Sequence, residues 1–259
     1  MILDNSLLVL WLGLIGLAVG SFINAAEFRL AKNLPLGTVG GRAARSKCTS
    51  CDIQLRVVDL IPVVSFVLLR GRCYSCSERI SWQYPVVELI TALLFGLSGL
   101  AAVSLPEAIF FAACSGVMVF LFIYDLKHML VLDVVTLPAI VIAFIANWFL
   151  GVDLIDMVLG SVIGGGFFAA QYLISRGRWV GGGDIRLGLL AGVILGWQHL
   201  LVALMLAYVG GSVIALGMLS TKKVTMKSQV PFAVFFVPAV LVSLFFGDKL
   251  LSWYLSFLL

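Results

Sequence analysis

Long apolar runs separated by short polar breaks dominate the chain. They cover Leu7–Phe28, Pro85–Val103, Pro106–Tyr124, Val134–Leu150, Leu154–Ile174, Ile185–Leu219 and Pro231–Gly247. A helix rises about 1.5 Å per residue and the hydrocarbon layer is about 30 Å thick, so roughly 20 such residues cross a bilayer. The sixth run is too long for one crossing. Its polar centre, Gly196-Trp197-Gln198-His199, divides it into a short helix and a longer one. The pattern predicts an all-α polytopic membrane protein of about eight transmembrane helices. It divides into a first transmembrane helix (1–28), a small cytoplasmic polar segment between helices 1 and 2 (29–84) and a membrane-embedded domain (85–259).

Composition agrees with that pattern. The chain is 62% hydrophobic and 12% charged, whereas soluble domains are about 45–50% apolar and about 25% charged. No internal repeat, low-complexity tract or long linker is evident, although Gly37–Gly41 loosens the start of the polar segment. Asn24-Ala25-Ala26 offers small residues near the end of the first run, but Asp4 precedes that run and the basic residues all follow it, which marks a retained anchor and not a cleaved signal.

The distribution of charge orients the chain. Nine basic residues, Arg29, Lys32, Arg42, Arg45, Lys47, Arg56, Arg70, Arg72 and Arg79, fall between the first and second runs, and the positive-inside rule makes that segment cytoplasmic. Under an eight-helix count Lys127, Arg176, Arg178, Arg186, Lys222, Lys223 and Lys227 fall on the same side, leaving Lys249 alone outside. The net charge of +4 therefore reports membrane orientation and implies no nucleic-acid partner.

Within the polar segment, Cys48-x-x-Cys51 and Cys73-x-x-Cys76 are separated by twenty-one residues. Two such knuckles are what a tetrahedral four-thiolate zinc site requires, and a closed site of that kind is structural. Disulfides are disfavoured by a reducing cytoplasm. Cys114, alone inside a run, is a small apolar packing residue.

Carboxylates at the ends of membrane helices are functional candidates because burying them is costly. Asp125 ends the third run, in Tyr124-Asp125-Leu126-Lys127-His128, and Asp184 opens the sixth, in Gly181-Gly182-Gly183-Asp184. Both fall at one depth on one side. Brought together they could share a proton, one serving as base toward water and the other as acid, which is aspartyl-protease chemistry. The helix ends make Asp184 the base and Asp125 the acid. Gly181, Gly182 and Gly183 would allow close approach, as an extended substrate strand requires. On residue types alone other readings stand: Asp184 as a helix N-cap, Asp125 as a solvated interfacial residue, or both as ion sites of a transporter with a zinc-bound regulatory segment.

The sequence also resembles the bifunctional type IV prepilin peptidases, the leader peptidase/N-methyltransferases of type IV pilus and type II secretion systems. The matching pieces are Gly20-Ser21-Phe22-Ile23-Asn24, the two cysteine knuckles, Asp59-Leu60-Ile61-Pro62-Val63-Val64-Ser65, Arg70-Gly71-Arg72-Cys73, Tyr84-Pro85-Val86-Val87-Glu88, Asp125 with Asp133, Gly181–Asp184 and Pro231-Phe232, in order over nearly the whole chain. The resemblance implies a bacterial inner-membrane GxGD aspartyl peptidase with Asp125 and Asp184 as the catalytic pair. Its substrates would be prepilins or pseudopilins, cut after a short basic leader at the cytoplasmic face. It further implies methylation of the new N-terminus from S-adenosylmethionine, associated with the cysteine-bearing segment. Leu132, Ala233 and Ala31 stand where the family usually has proline, glycine and proline. A presenilin-like intramembrane protease is disfavoured by the shallow depth of both aspartates.

The remaining polar residues have plainer expectations. Asp133 caps a helix and Glu88 suits the first turn of another. His128 and His199 are interfacial, no second ligand being suitably spaced. Asn24 and Glu27 face either a neighbouring helix or the active-site cavity.

Overall fold

The computed structural model describes residues 5–36, 38–39, 42–43, 46–220 and 231–256. Eight helices account for most of them: α1 (Asn5–Ala31), the short α2 (Val64–Leu68), α3 (Gln83–Ala101), α4 (Leu105–His128), α5 (Asp133–Phe149), α6 (Leu154–Ser175), α7 (Gly182–Ser220) and α8 (Ala233–Leu255). A two-residue hairpin, β1 (Thr38–Val39) with β2 (Arg42–Ala43), is the one sheet among the described residues. Six helices, α1, α3, α4, α6, α7 and α8, are long and apolar enough to cross a membrane, and α5 is apolar over 17 residues. Gly196, at φ 70° and ψ 174°, breaks α7 where the polar centre of its sequence predicts, so the apolar helical pieces number eight, as expected. Arg45, Lys222, Lys223 and Lys227, four of the cations used to orient the chain, lie outside the described residues.

The chain forms two compact units, Met1–Phe120 and Leu121–Leu259. In the first, α1 lies against α3. Asn24 donates through Nδ2 to the Tyr84 carbonyl at 3.2 Å and accepts from Gln83 at 3.1 Å, which resolves its two alternatives in favour of the neighbouring helix. Glu88 sits in the second turn of α3, not the first, and its partner is tertiary: Oε2 accepts the Val63 N–H at 2.7 Å. That bond holds a β-branched residue at φ 61°, ψ −48° inside a tight turn closed by Val64 N–H to the Pro62 carbonyl at 2.6 Å, a backbone state that persists only where its surroundings over-determine it.

In the second unit, α6 and α7 meet backbone to backbone. Gly160 and Gly164 face Gly192 and Gly188, and a Cβ at any of them would collide with the opposing main chain. Small residues four apart on both helices are the usual means of close packing inside lipid, where hydrophobicity supplies no drive between helices. Replacing Gly164 by Leu is expected to separate the pair, with a loss of about 1–3 kcal/mol or more from overpacking, read as a lowered thermal midpoint in detergent against Gly166→Leu, whose Cβ would meet open space.

The break in α7 is stitched on both sides. Asn147 of α5 donates to the carbonyls of Val193 and Ile194 at 2.7 and 3.4 Å, and Asp156 of α6 accepts the Trp197 N–H at 3.2 Å. Next to it His199 pairs with Asp248 at 3.1 Å. Asp248 is exposed, so the pair is compatible with an interfacial His199; what the spacing along the sequence did not show is its partner, a carboxylate from α8.

Candidate active site and metal centre

Asp125 does not end its helix at the surface. α4 continues one further turn to His128 and stops at Met129, whose φ of 52° is left-handed. Asp125 is consequently 6% exposed. A carboxylate oxygen accepts the backbone N–H of Ala233 at the head of α8, while Oδ2 has no hydrogen-bond partner among the described residues. Since a main-chain N–H supplies that contact, Ala233 in place of the family's usual glycine leaves it intact.

Asp184 does not act as an N-cap either. α7 begins at Gly182, which places Asp184 in the third position of the first turn, where Oδ2 reaches back to accept the Gly181 N–H at 2.8 Å. This is one half of a capping box, with the acid at N3. Asp184 is 8% exposed, and its charge acts on Asp125. The fold thus brings together the two aspartates singled out from the sequence, buried and within electrostatic reach.

The glycines before Asp184 serve different ends. A Cβ on Gly183 would strike Val131, in the loop after α4, whereas Gly182 faces open space. Close packing between the two aspartate-bearing segments therefore explains Gly183, and a Cβ on Gly182 would have room. Asp133 tightens the same junction. Leu132 occupies the N-cap of α5, and the Asp133 carboxylate pairs with Arg186, two residues beyond Asp184. Because both side chains are partly exposed, the pair is worth only about 0.2–1 kcal/mol in stability. Misplacing a reacting group by about 1 Å, however, costs up to about 10²-fold in rate. Arg186→Asp should lower the rate of the supported reaction roughly tenfold with little change in melting temperature, and the exchanged pair Asp133→Arg with Arg186→Asp should recover it. If the double variant is as slow as the single, the clasp has no positioning role.

One polar pair near Asp184 escaped the sequence reading. Tyr208 and Gln171 hydrogen-bond to each other at 2.8–2.9 Å, the charge of Asp184 reaches the phenol, and Phe232 of the Pro231-Phe232 motif lies against the Tyr208 ring at 5.3 Å. The available signal was an amide and a phenol inside otherwise apolar runs.

The four-cysteine cluster belongs to the first unit. Each knuckle makes the same turn. In one, Asp52 N–H bonds to the Cys48 carbonyl and Cys48 N–H to the Ile53 carbonyl; in the other, Ser77 and Glu78 serve Cys73 likewise. Asp52 and Ser77 both adopt positive φ, and antiparallel bridges Lys47↔Gln54 and Arg72↔Arg79 flank the turns. This is a local structural repeat that the sequence signals only through its cysteines. The four sulfurs lie within 4.8 Å of one another, with Cys48 and Cys76 3.8 Å apart, and none is in a disulfide. A zinc–sulfur bond of about 2.3 Å in a tetrahedron demands sulfurs about 3.8 Å apart, so the residues fit the ion. Backbone N–H groups of Ser50 and Cys51 hold the Cys48 thiol down to about 7. At Cys76 the Glu78 N–H pulls the other way, but lost hydration and the neighbouring thiols outweigh it and push the group up to about 12. Such a cluster gives up its first proton readily and needs a dication to give up its last. Among residues 46–82 only Cys73 is buried, so no apolar core competes with a metal as the organiser. The Asp59 carboxylate is held below its ordinary range by the fork of Arg56, whose two bonds measure 2.9 and 3.0 Å.

Residues 14–102 match the bacterial peptidase A24 N-terminal domain, and residues 109–216 match the type IV leader peptidase family. A prepilin leader peptidase/N-methyltransferase of Bacillus subtilis is 30% identical over 93% of this chain and 95% of its own length. That of Pseudomonas aeruginosa is 31% identical over 94% and 92%. The chain belongs to this peptidase family. The A24 N-terminal match contains all four cysteines and the leader peptidase match contains both aspartates. Membership of a leader peptidase family replaces the transporter alternative with an enzyme. No solved structure matches the chain.

Proposed function

We propose that the chain removes the short basic leader of prepilins or pseudopilins with Asp125 and Asp184 as the catalytic pair, and methylates the amine so exposed. The observation that carries the first activity is a pair of buried carboxylates in electrostatic contact, one of them with an unpartnered oxygen. One carboxylate takes a proton from water as the water oxygen bonds to the scissile carbonyl carbon, and the other gives its proton to the carbonyl oxygen. Collapse breaks the C–N bond, and the leaving nitrogen receives a proton as it becomes the new amine. Gly182 leaves room for the extended leader beside Asp184.

The cysteine-bearing segment, 29–84, carries the methylation, and 85–259 the peptidase. S-adenosylmethionine is the methyl donor that family membership implies. The first unit buries two carboxylates, Glu27 and Glu88, the chemistry suited to a cationic sulfonium donor and to an amine that loses a proton. Zinc held by Cys48, Cys51, Cys73 and Cys76 would be structural. Both sites face the cytoplasm, since the basic residues cluster on the side that carries them.

The test is incubation of the purified protein in detergent with a prepilin, comparing wild type with Asp184→Ala by product mass. Leader loss in the wild type alone supports the reading; an intact prepilin in the wild-type reaction sinks it.

A further inference from the structure

A cavity of about 640 Å³ lies in the first unit between the second cysteine knuckle and the start of α3. Three arginines, Arg70, Arg72 and Arg79, line it together with Phe66, Trp82 and Leu89, and no acidic residue does. Arg72 and Arg79 are partners in the antiparallel bridge that closes the knuckle, so both side chains leave the same face of the ladder at one level. Like charges placed directly opposite each other are destabilising. Among the described residues none of the three guanidiniums has an ion-pair partner. Three converging cations without a counter-ion, held at the turn formed by Arg70 and Gly71 at φ 51° and 66°, form an anion site.

The apolar wall narrows the choice of anion. Leu89 lies in the second turn of α3, a membrane span beginning at Gln83, and both it and Leu93 one turn deeper are exposed. Trp82, 72% exposed, stands just before that span, the level at which indole rings favour the headgroup layer. Phe66 packs against Trp82 at 4.9 Å and steadies it. A basic pocket at the interfacial end of a span, opening onto an apolar helix face, fits a phosphate headgroup with its acyl chains alongside. A sulfonium donor carries positive charge and would meet three more here. We infer that this cavity binds the phosphate headgroup of an anionic phospholipid, its acyl chains running down α3 past Leu89, and so fixes the zinc segment to the bilayer surface. The inference rests on α3 being a membrane span and is independent of the peptidase assignment.

The full-length protein, purified in detergent, is titrated with phosphatidylglycerol and with phosphatidylcholine, and bound lipid is counted by native mass spectrometry. Phosphatidylglycerol is expected to bind at least about tenfold more tightly, and Arg72→Gln and Arg79→Gln each to weaken it on the order of fivefold, with zinc retained and the phosphatidylcholine count unchanged. Lys249→Gln, beyond the cavity, should change neither. If a knuckle variant sheds zinc, Arg70→Gln reads the same charge without flanking a cysteine. Equal binding of the two lipids overturns the proposal, as does a preference that is undiminished in zinc-loaded variants. Displacement of phosphatidylglycerol by millimolar inorganic phosphate would make this a free-phosphate site, and displacement by S-adenosylmethionine a donor site; either overturns the lipid reading.

Discussion

Asp125→Asn and Asp184→Asn should each lower prepilin cleavage by about 10²–10⁴-fold, the usual worth of one acid–base role, while zinc content and methylation of an already cleaved pilin stay at wild-type levels. Asparagine keeps the shape of the carboxyl group, so in the Asp184→Asn variant the amide oxygen can still accept the Gly181 N–H and preserve the first turn of α7. What the substitution removes is the proton-transfer capacity of the pair. Two carboxylates that share one proton titrate in two macroscopic steps, and the proposed mechanism needs such a pair. Cleavage should therefore peak where the pair holds a single proton and fall on both sides. A rate that stays flat from acid to alkaline pH, with chemistry shown to be limiting, contradicts a shared-proton pair; loss of zinc from either variant contradicts two separate sites.

Removing the metal should have the opposite signature. Structural zinc bound by four thiolates contributes about 10–16 kcal/mol of apparent folding free energy, comparable with or larger than the roughly 5–15 kcal/mol that holds an entire domain. With Cys73 the one buried residue across 46–82, that segment has no apolar core of its own to replace the ion. Cys48→Ser, Cys73→Ser or a strong chelator should release the ion, raise amide exchange throughout 46–82 toward unfolded rates and abolish methylation, while cleavage declines less. Hydrogen exchange that remains slow in the metal-free protein would show that the segment folds on its own.

Hydropathy alone located the helices, because lipid requires every crossing backbone to satisfy its own hydrogen bonds, and the cysteine spacing marked the four-thiol cluster for a similarly local reason. What escaped the sequence was tertiary. Lys127 and His128 made the end of α4 look like a membrane surface, yet the helix winds through them and carries Asp125 inside. Two glycines, poor helix formers, open α7, so Asp184 sits three positions later than an N-cap would. Glu88 with Val63, Asp133 with Arg186 and His199 with Asp248 are partners distant along the chain, and no local pattern announces them. The glycines four apart in α6 and α7 were present in the sequence, but only the facing helix gives them meaning.

The stitched break in α7 bears on how such a chain can diverge. Gly196 frees main-chain groups where two helical pieces meet, and Asn147 near the end of α5 and Asp156 in the first turn of α6 bond to them. A continuous helix at this point would leave an amide and a carboxylate without these partners, whereas losing either side chain would leave the freed backbone groups without theirs. Substitutions at 147, 156 and 196 are therefore tolerable mainly in concert, so lineages should keep the three polar and flexible together or replace them together, leaving a covariation signal among sites that touch neither substrate nor metal.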